Sequence, residues 1–210
     1  MTIGRLINSI LMATVLLIGT QGKPATAEQA ASKVVGDFQY ALLDVMKKGK
    51  SLSMRERYDL LAPAIEKAFH LPIMLSMATG NYWREADDRQ KRELVNAFKR
   101  KNISTVAALF DNYSGHAFEI VGERPAPQNS RLVETRLTRP KGKPVSLDYR
   151  VLRVGGQWRI IDVIVSRGIS EVAVRRSEYS GWLKDGGIAG LTAVLNAKAD
   201  ELLAETSPGS

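Results

Sequence analysis

Two histidines, His70 and His116, and one carboxylate inside an apolar run, Asp162, are the side chains best suited to acid–base chemistry in this chain. A hydrolytic site needs a nucleophile, a base and a group that orients the base. His70 stands at a helix break beside Pro72, and His116 follows "YSG" at a strand start. Neither has a partner at metal-ligand spacing, and a hydrogen-bonded structural role fits each. "SRG" and "YSG" are not nucleophile elbows, and phosphate-loop and dinucleotide fingerprints are missing. Asp162 has two readings. A buried carboxylate can serve as a general acid or base. More simply, it offsets its desolvation by pairing, with Arg167, Arg175 and Arg176 as nearby candidates. The pattern therefore nominates no catalytic residue, no metal ligand and no cofactor site.

Composition narrows the field. The 210 residues are 44% hydrophobic and 25% charged, enough for one domain with a core. The absence of cysteine excludes disulfides, thiol catalysis and cysteine-bound metals. A net charge of +8 favours anionic partners. The first 27 residues have the layout of a secretory signal peptide: Arg5, an apolar run from Leu6 to Ile18, and an A-x-A site at Ala25–Ala27. The apolar run is short for a membrane span. Removal of residues 1–27 takes away Arg5 and Lys23 and no acid, leaving +6 on a single domain over 28–205. An exported chain without interleaved aromatic and basic residues is not a nucleic-acid binder.

The elements that must position these groups follow from periodicity. Ala31, Val35, Phe38, Leu42 and Val45 recur at helical spacing. Ser53 and Glu56 form a capping box for a second helix, in which Pro63 predicts a kink or a boundary near Leu61–Ala62. A third helix starts around Pro72 and stops at Gly80. The longest helical signal follows, with i,i+4 pairs Asp87–Lys91 and Asp88–Arg92 and a stop at Ser114–Gly115. The period then changes to two over 116–122, 131–139, 145–154 and 158–166, predicting four strands. "PKGKP" (140–144) and Gly155–Gly156 supply turns. In the last strand Trp158, Ile160, Asp162 and Ile164 share one face and Arg159, Ile161, Val163 and Val165 the other. Two helices finish the chain, over about 170–183 and after Gly187. An antiparallel sheet wrapped by N- and C-terminal helices is an α+β layer architecture. Met46, Met54, Met74 and Met77 suit an irregular or adaptable apolar surface, although a filled core has the same pattern.

The C-terminal run "DVIVSRGISEVAVRRSEYSGWLKDGGIAGLTAVL" resembles the signature of the MlaC family, periplasmic phospholipid-binding components of ABC transport systems also called toluene-tolerance auxiliary proteins. Asp162, Ile164, Gly168, Ile169, Ser170, Arg176, Glu178, Tyr179, Gly187, Ile188 and Leu191 carry the resemblance. "LFDNYSGHAFEI", around Tyr113 and Gly115, is similar to the family's helix-to-strand junction, and the hopanoid-associated HpnM branch is nearest there. The resemblance implies an NTF2-like curved antiparallel sheet with an internal apolar cavity. It implies a periplasmic shuttle for a phospholipid or a polycyclic hopanoid-related lipid, serving membrane-bound ABC-transport or lipid-export components and touching anionic membrane surfaces transiently. Combined with strand parity, it predicts a cavity lined by Tyr149, Val151, Trp158, Ile160 and Ile164 from the sheet. Phe69, Ile73, Met77, Phe98, Leu109 and Tyr113 would supply the helical walls. An exported NTF2-like enzyme and a solid-core assembly protein acting through its basic surface are the alternatives.

Overall fold

The computed structural model describes residues 28–166 and 168–204; the expected signal peptide lies outside them. Helices α1 (Glu28–Lys48), α2 (Met54–Ala68), α3 (Leu71–Thr79), the short α4 (Asn81–Glu85) and α5 (Asp88–Leu109) precede the sheet. Strands β1 (Ala117–Ala126), β2 (Ser130–Thr138), β3 (Val145–Val154), β4 (Gln157–Val165) and the two-residue β5 (Ile169–Ser170) lead into α6 (Glu171–Ala204). The sheet is an open antiparallel meander in the order β1-β2-β3-β4-β5. The α+β expectation stands, with β5 added as a fifth strand too short to show a period.

Helix ends follow local chemistry. Ser53 and Glu56 cap α2 reciprocally, and Asp87 and Gln90 do the same for α5. The Asp87 carboxylate is thereby spent on the Gln90 amide at 2.8 Å, and the ion pair on that turn is Arg89–Glu93 at 2.9 Å. The expected Asp87–Lys91 and Asp88–Arg92 pairs give way to this arrangement. Pro63 does not divide α2. It is exposed, and the carbonyl it leaves without an amide belongs to Asp59, which is also exposed, so water can take the vacant bond. Helix α5 ends at Leu109, before Ser114–Gly115, because Phe110 leaves helical geometry (ψ 47°). Buried Arg57 then takes the Ala107 carbonyl at 2.9 Å through Nε, while its Nη1 reaches the Leu52 carbonyl at 2.7 Å. Gly187 (φ 58°, ψ −155°) breaks α6 into the two expected helices.

Turns fix the sheet register. Val154 pairs with Gln157 across Gly155–Gly156, whose φ values of 57° and 82° suit a two-residue hairpin. The β3–β4 ladder then slips: Arg150 faces Asp162, but Val151 faces Ile160. Ile161 is therefore a bulge, and side-chain parity reverses across it.

Two apolar clusters share α5. Its C-terminal half (Ile103, Ala107) joins α1, α2 and the sheet. Its N-terminal half (Leu94, Ala97, Phe98) joins α3 and α6. Among the described residues, no helix is long and apolar enough to cross a membrane.

Candidate functional site

The cavity lies mainly in the first cluster, between the helices and the β3–β4 hairpin, and borders the second through Leu71 and Met74. It has a volume of about 260 Å³, close to the lower end of small-molecule sites, roughly 300 Å³. Phe38 and Leu42 on α1, Ile65 on α2 and Leu71 and Met74 on α3 form part of the wall. Asn102, Thr105, Val106 and Leu109 on α5, with Phe110 after it, form another part. Leu147 and Tyr149 on β3 and Val163 and Val165 on β4 form the floor. Glu171 and Arg175, on the first turns of α6, are the charged residues in the wall. Leu109 is 71% exposed, which marks the open side.

Polar tethers hold this wall. Gln39 donates to Thr135 at 2.9 Å, and the Thr135 hydroxyl donates to the Leu147 carbonyl, so α1 is tied across β2 and β3. The Tyr149 hydroxyl is pushed up to about 12 by burial, partly opposed by a hydrogen bond with Gln39, so it stays protonated at any ordinary pH. Phe69 forms an isolated bridge with Ile160, and the next amide, His70, donates to the Ile160 carbonyl at 2.8 Å. Arg159 completes the seam by donating to the carbonyls of Glu66 (2.8 Å) and Phe69 (3.1 Å). Phe38 and Phe69 meet edge to face at 4.9 Å.

Of the residues expected to line a cavity, Phe69, Leu109 and Tyr149 are in its wall. Val151 and Ile160 are fully buried in the cluster beneath it, with Trp158 packed alongside. Ile164 stands between Val163 and Val165 in β4 and so faces away; the Ile161 bulge is the reason its parity differs from the expectation. Phe98 packs in the second cluster, because α5 changes packing partners along its length, and Met77 packs against the same cluster from the α3 turn beyond Met74. Ile73 lies between the wall residues Leu71 and Met74 without reaching the cavity. Tyr113 falls past the end of α5, 39% exposed, beside His116 and under the Lys47 ammonium. Sequence reasoning passed over Phe38 and Leu42, although their i,i+4 spacing on α1 was visible, and over Val163 and Val165, which only the bulge turns inward.

The groups that could have done chemistry have structural tasks. Asp162 accepts from the Ser170 hydroxyl at 2.6 Å and the Val172 amide at 3.1 Å, fastening β4 to the start of α6. A hydroxyl and a backbone donor thus satisfy it where arginines were expected; Arg167 lies outside the described residues. His70 caps α3, accepting from the Ile73 amide at 3.2 Å, and burial followed by the Arg159 charge lowers its pKa. His116 accepts from the Ser114 amide at 3.3 Å in its own turn. Among the described residues, no group of three or more metal-ligating side chains is placed to hold an ion.

Arg175 differs from the other arginines near the cavity. Its side chain is 13% exposed, and its nearest acid, Glu171, stands off at 3.6 Å. Its guanidinium lies 5.5 Å over the Phe98 ring, and its buried Nε has no hydrogen-bond partner. The Tyr179 hydroxyl is close by, but it too is buried without a bond of normal geometry. Burial raises the Tyr179 pKa, and the Arg175 charge, followed by a loose hydrogen bond from the Arg175 side chain, opposes the rise. Lys101 on α5 is a second cation in this cluster, its pKa lowered first by burial and then by the charge of Arg175.

A phospholipid-binding protein from Ralstonia solanacearum, solved in complex with a phospholipid, has the same fold: TM-score 0.70 at 21% identity, covering 84% of this chain and 98% of that one. The family model described as MlaC protein matches residues 37–197, a span that holds the cavity lining, the sheet and the last helix as far as residue 197. The chain belongs to the MlaC family.

Proposed function

We propose that this chain is a periplasmic lipid carrier that holds the acyl chains of a phospholipid, or a hopanoid-related lipid, in the cavity between its helices and its sheet. The observation that carries this reading is the wall itself: aliphatic and aromatic side chains from α1, α2, α3, α5, β3 and β4 converge on an open void with few polar groups. Each buried methylene contributes roughly 0.8 kcal/mol, so a long chain has ample gross driving force. Family membership and the phospholipid in the Ralstonia protein support the choice of guest. In this reading the leader is removed after Ala27, and the remaining domain shuttles cargo between membrane-bound ABC-transport or lipid-export components. The cavity is small for two full chains, so loading requires the helices to move outward from the sheet. Native mass spectrometry of the protein purified from its own envelope tests the reading. A bound lipid of defined mass is expected; lipid-free protein that also takes up nothing from labelled liposomes overturns it.

A further inference from the structure

Two large aliphatic side chains stand exposed at the mouth of the cavity. Leu109, in its wall, is 71% exposed, and Ile169 is 53% exposed. Ile169 pairs with Val165, which pairs with Leu147, so the three stand in a row across β5, β4 and β3 on one face of the sheet. Leu147 and Val165 line the cavity, and Ile169 carries the same apolar row out past its edge. Cations surround this pair. Strand β3 begins at Val145, two residues before Leu147, so the turn over 139–144 projects at the same end of the sheet with Arg139, Lys141 and Lys143 exposed. Pro140 of that turn abuts Gly115, where an added Cβ would lie 2.6 Å from its ring. From Gly115 the rim runs back to the end of α1: the Asp111 carbonyl packs on Gly49, and the Lys47 ammonium lies 5.7 Å from the Tyr113 ring centroid. Lys48 is answered by Asp44 at 2.7 Å, and Asp111 is an exposed acid on this rim. Among the described residues, Lys47, Arg139, Lys141 and Lys143 make no ion pair.

Resting on the carrier reading, we propose that this rim docks mouth-down on an anionic bilayer, with Leu109 and Ile169 entering the boundary between headgroups and acyl chains and the cations lying among the headgroups. Apolar side chains ringed by lysine and arginine are the combination that interfacial membrane binding uses. Each cation near an anionic surface adds to the attraction, within reach of about a Debye length. An acidic protein would answer the cations alone. Exposed aliphatic groups at the opening of an apolar cavity are better matched by hydrocarbon, because a chain leaving the cavity then enters the bilayer without crossing water.

The chain has no cysteine, so single labels can be placed cleanly. Ile169→Cys and Gln157→Cys, each carrying a polarity-sensitive fluorophore, are mixed with vesicles of phosphatidylcholine containing phosphatidylglycerol and with vesicles of phosphatidylcholine alone. Gln157 is exposed at the far end of β4, beside the β3–β4 hairpin. On the anionic vesicles the label at 169 is expected to shift to the blue and to be quenched by lipids brominated in the upper acyl chain, while the label at 157 does neither. High salt should release the protein and reverse both signals, and binding should exceed that to neutral vesicles by about tenfold or more. Lys141→Glu with Lys143→Glu should weaken binding without altering the fold. Binding without quenching at 169 overturns insertion of the apolar pair, and equal signals at both labels overturn the docking face. Equal binding to neutral and anionic vesicles overturns the part given to the cations. No vesicle binding by protein that still takes up labelled phospholipid overturns the docking, leaves the carrier reading intact and assigns the rim to an acidic protein. Docking by protein that takes up no lipid overturns the carrier reading alone.

Discussion

Replacement of Val163 by Phe tests both the cavity and the bulge that creates its floor. Val163 stands opposite Tyr149 in the β3–β4 ladder and lines the void. Phe exceeds Val by about four carbons, so its ring displaces roughly four methylenes of a guest; at ~0.8 kcal/mol each, this removes about 3 kcal/mol, or roughly 200-fold in affinity. In the empty protein the same ring enters space that is already present, so Tm should be unchanged or slightly raised. The assay is equilibrium uptake of tail-labelled phospholipid from liposomes, with Tm measured on the same samples. Ile164→Phe is the matched control: it is adjacent in sequence, on the opposite face, and should leave uptake within a factor of about two. Wild-type uptake by a folded Val163→Phe protein would refute the assigned floor. Equal losses in the two variants would refute the parity reversal at Ile161.

Arg57→Ala removes donors to the Ala107 and Leu52 carbonyls and leaves buried acceptors without partners; a loss of about 3 kcal/mol is expected in denaturant unfolding. Gly49→Ala should cost about 1–3 kcal/mol by the same measurement, because an added Cβ would lie 2.0 Å from the Asp111 carbonyl oxygen and backbone would have to move. His70 has a lowered pKa in the folded state, so the unfolded chain binds its proton first as pH falls. Its contribution is fully present above the unfolded value of 6.5 and is lost as pH drops below that value towards the folded pKa, so His70→Asn should flatten stability against pH in this window. Arg139, Lys141 and Lys143 are exposed around the β2–β3 turn. Reversing their charge should slow lipid transfer to anionic liposomes at low salt, with little difference from the parent at high salt, where screening shortens to about 3 Å near 1 M; cargo occupancy should not change.

Local chemistry made much of the fold legible. The Ser53–Glu56 box, Pro72 near the start of α3, Gly80 at its end, the paired glycines of the β3–β4 hairpin and the break at Gly187 each stand where the structure places an element boundary. Errors arose where a distant group supplied what the local sequence lacked. Arg57 receives the end of α5 from another helix, and solvent rescues the backbone around Pro63. Neither effect has a sequence period. The two-residue β5 is likewise held by pairing with Ile164 and Val165, not by any pattern of its own.

The cavity wall was less legible than the fold because period and face are different quantities. Alternation in β4 was read correctly, but one extra residue at Ile161 exchanged Val163 and Val165 for Ile164 as the inward set. Helical spacing in α5 was also read correctly, yet Phe98 and Val106 serve different clusters because the helix leaves one packing partner for another. Nor does an apolar pattern distinguish a hollow core from a filled one. Around this void the fixed points are polar and come from separate elements: Gln39 on α1 bound to Thr135 on β2, and Arg159 on β4 bound to the carbonyls ending α2. Such tethers fix where the helices stand over the sheet, and the apolar side chains between them leave the space open.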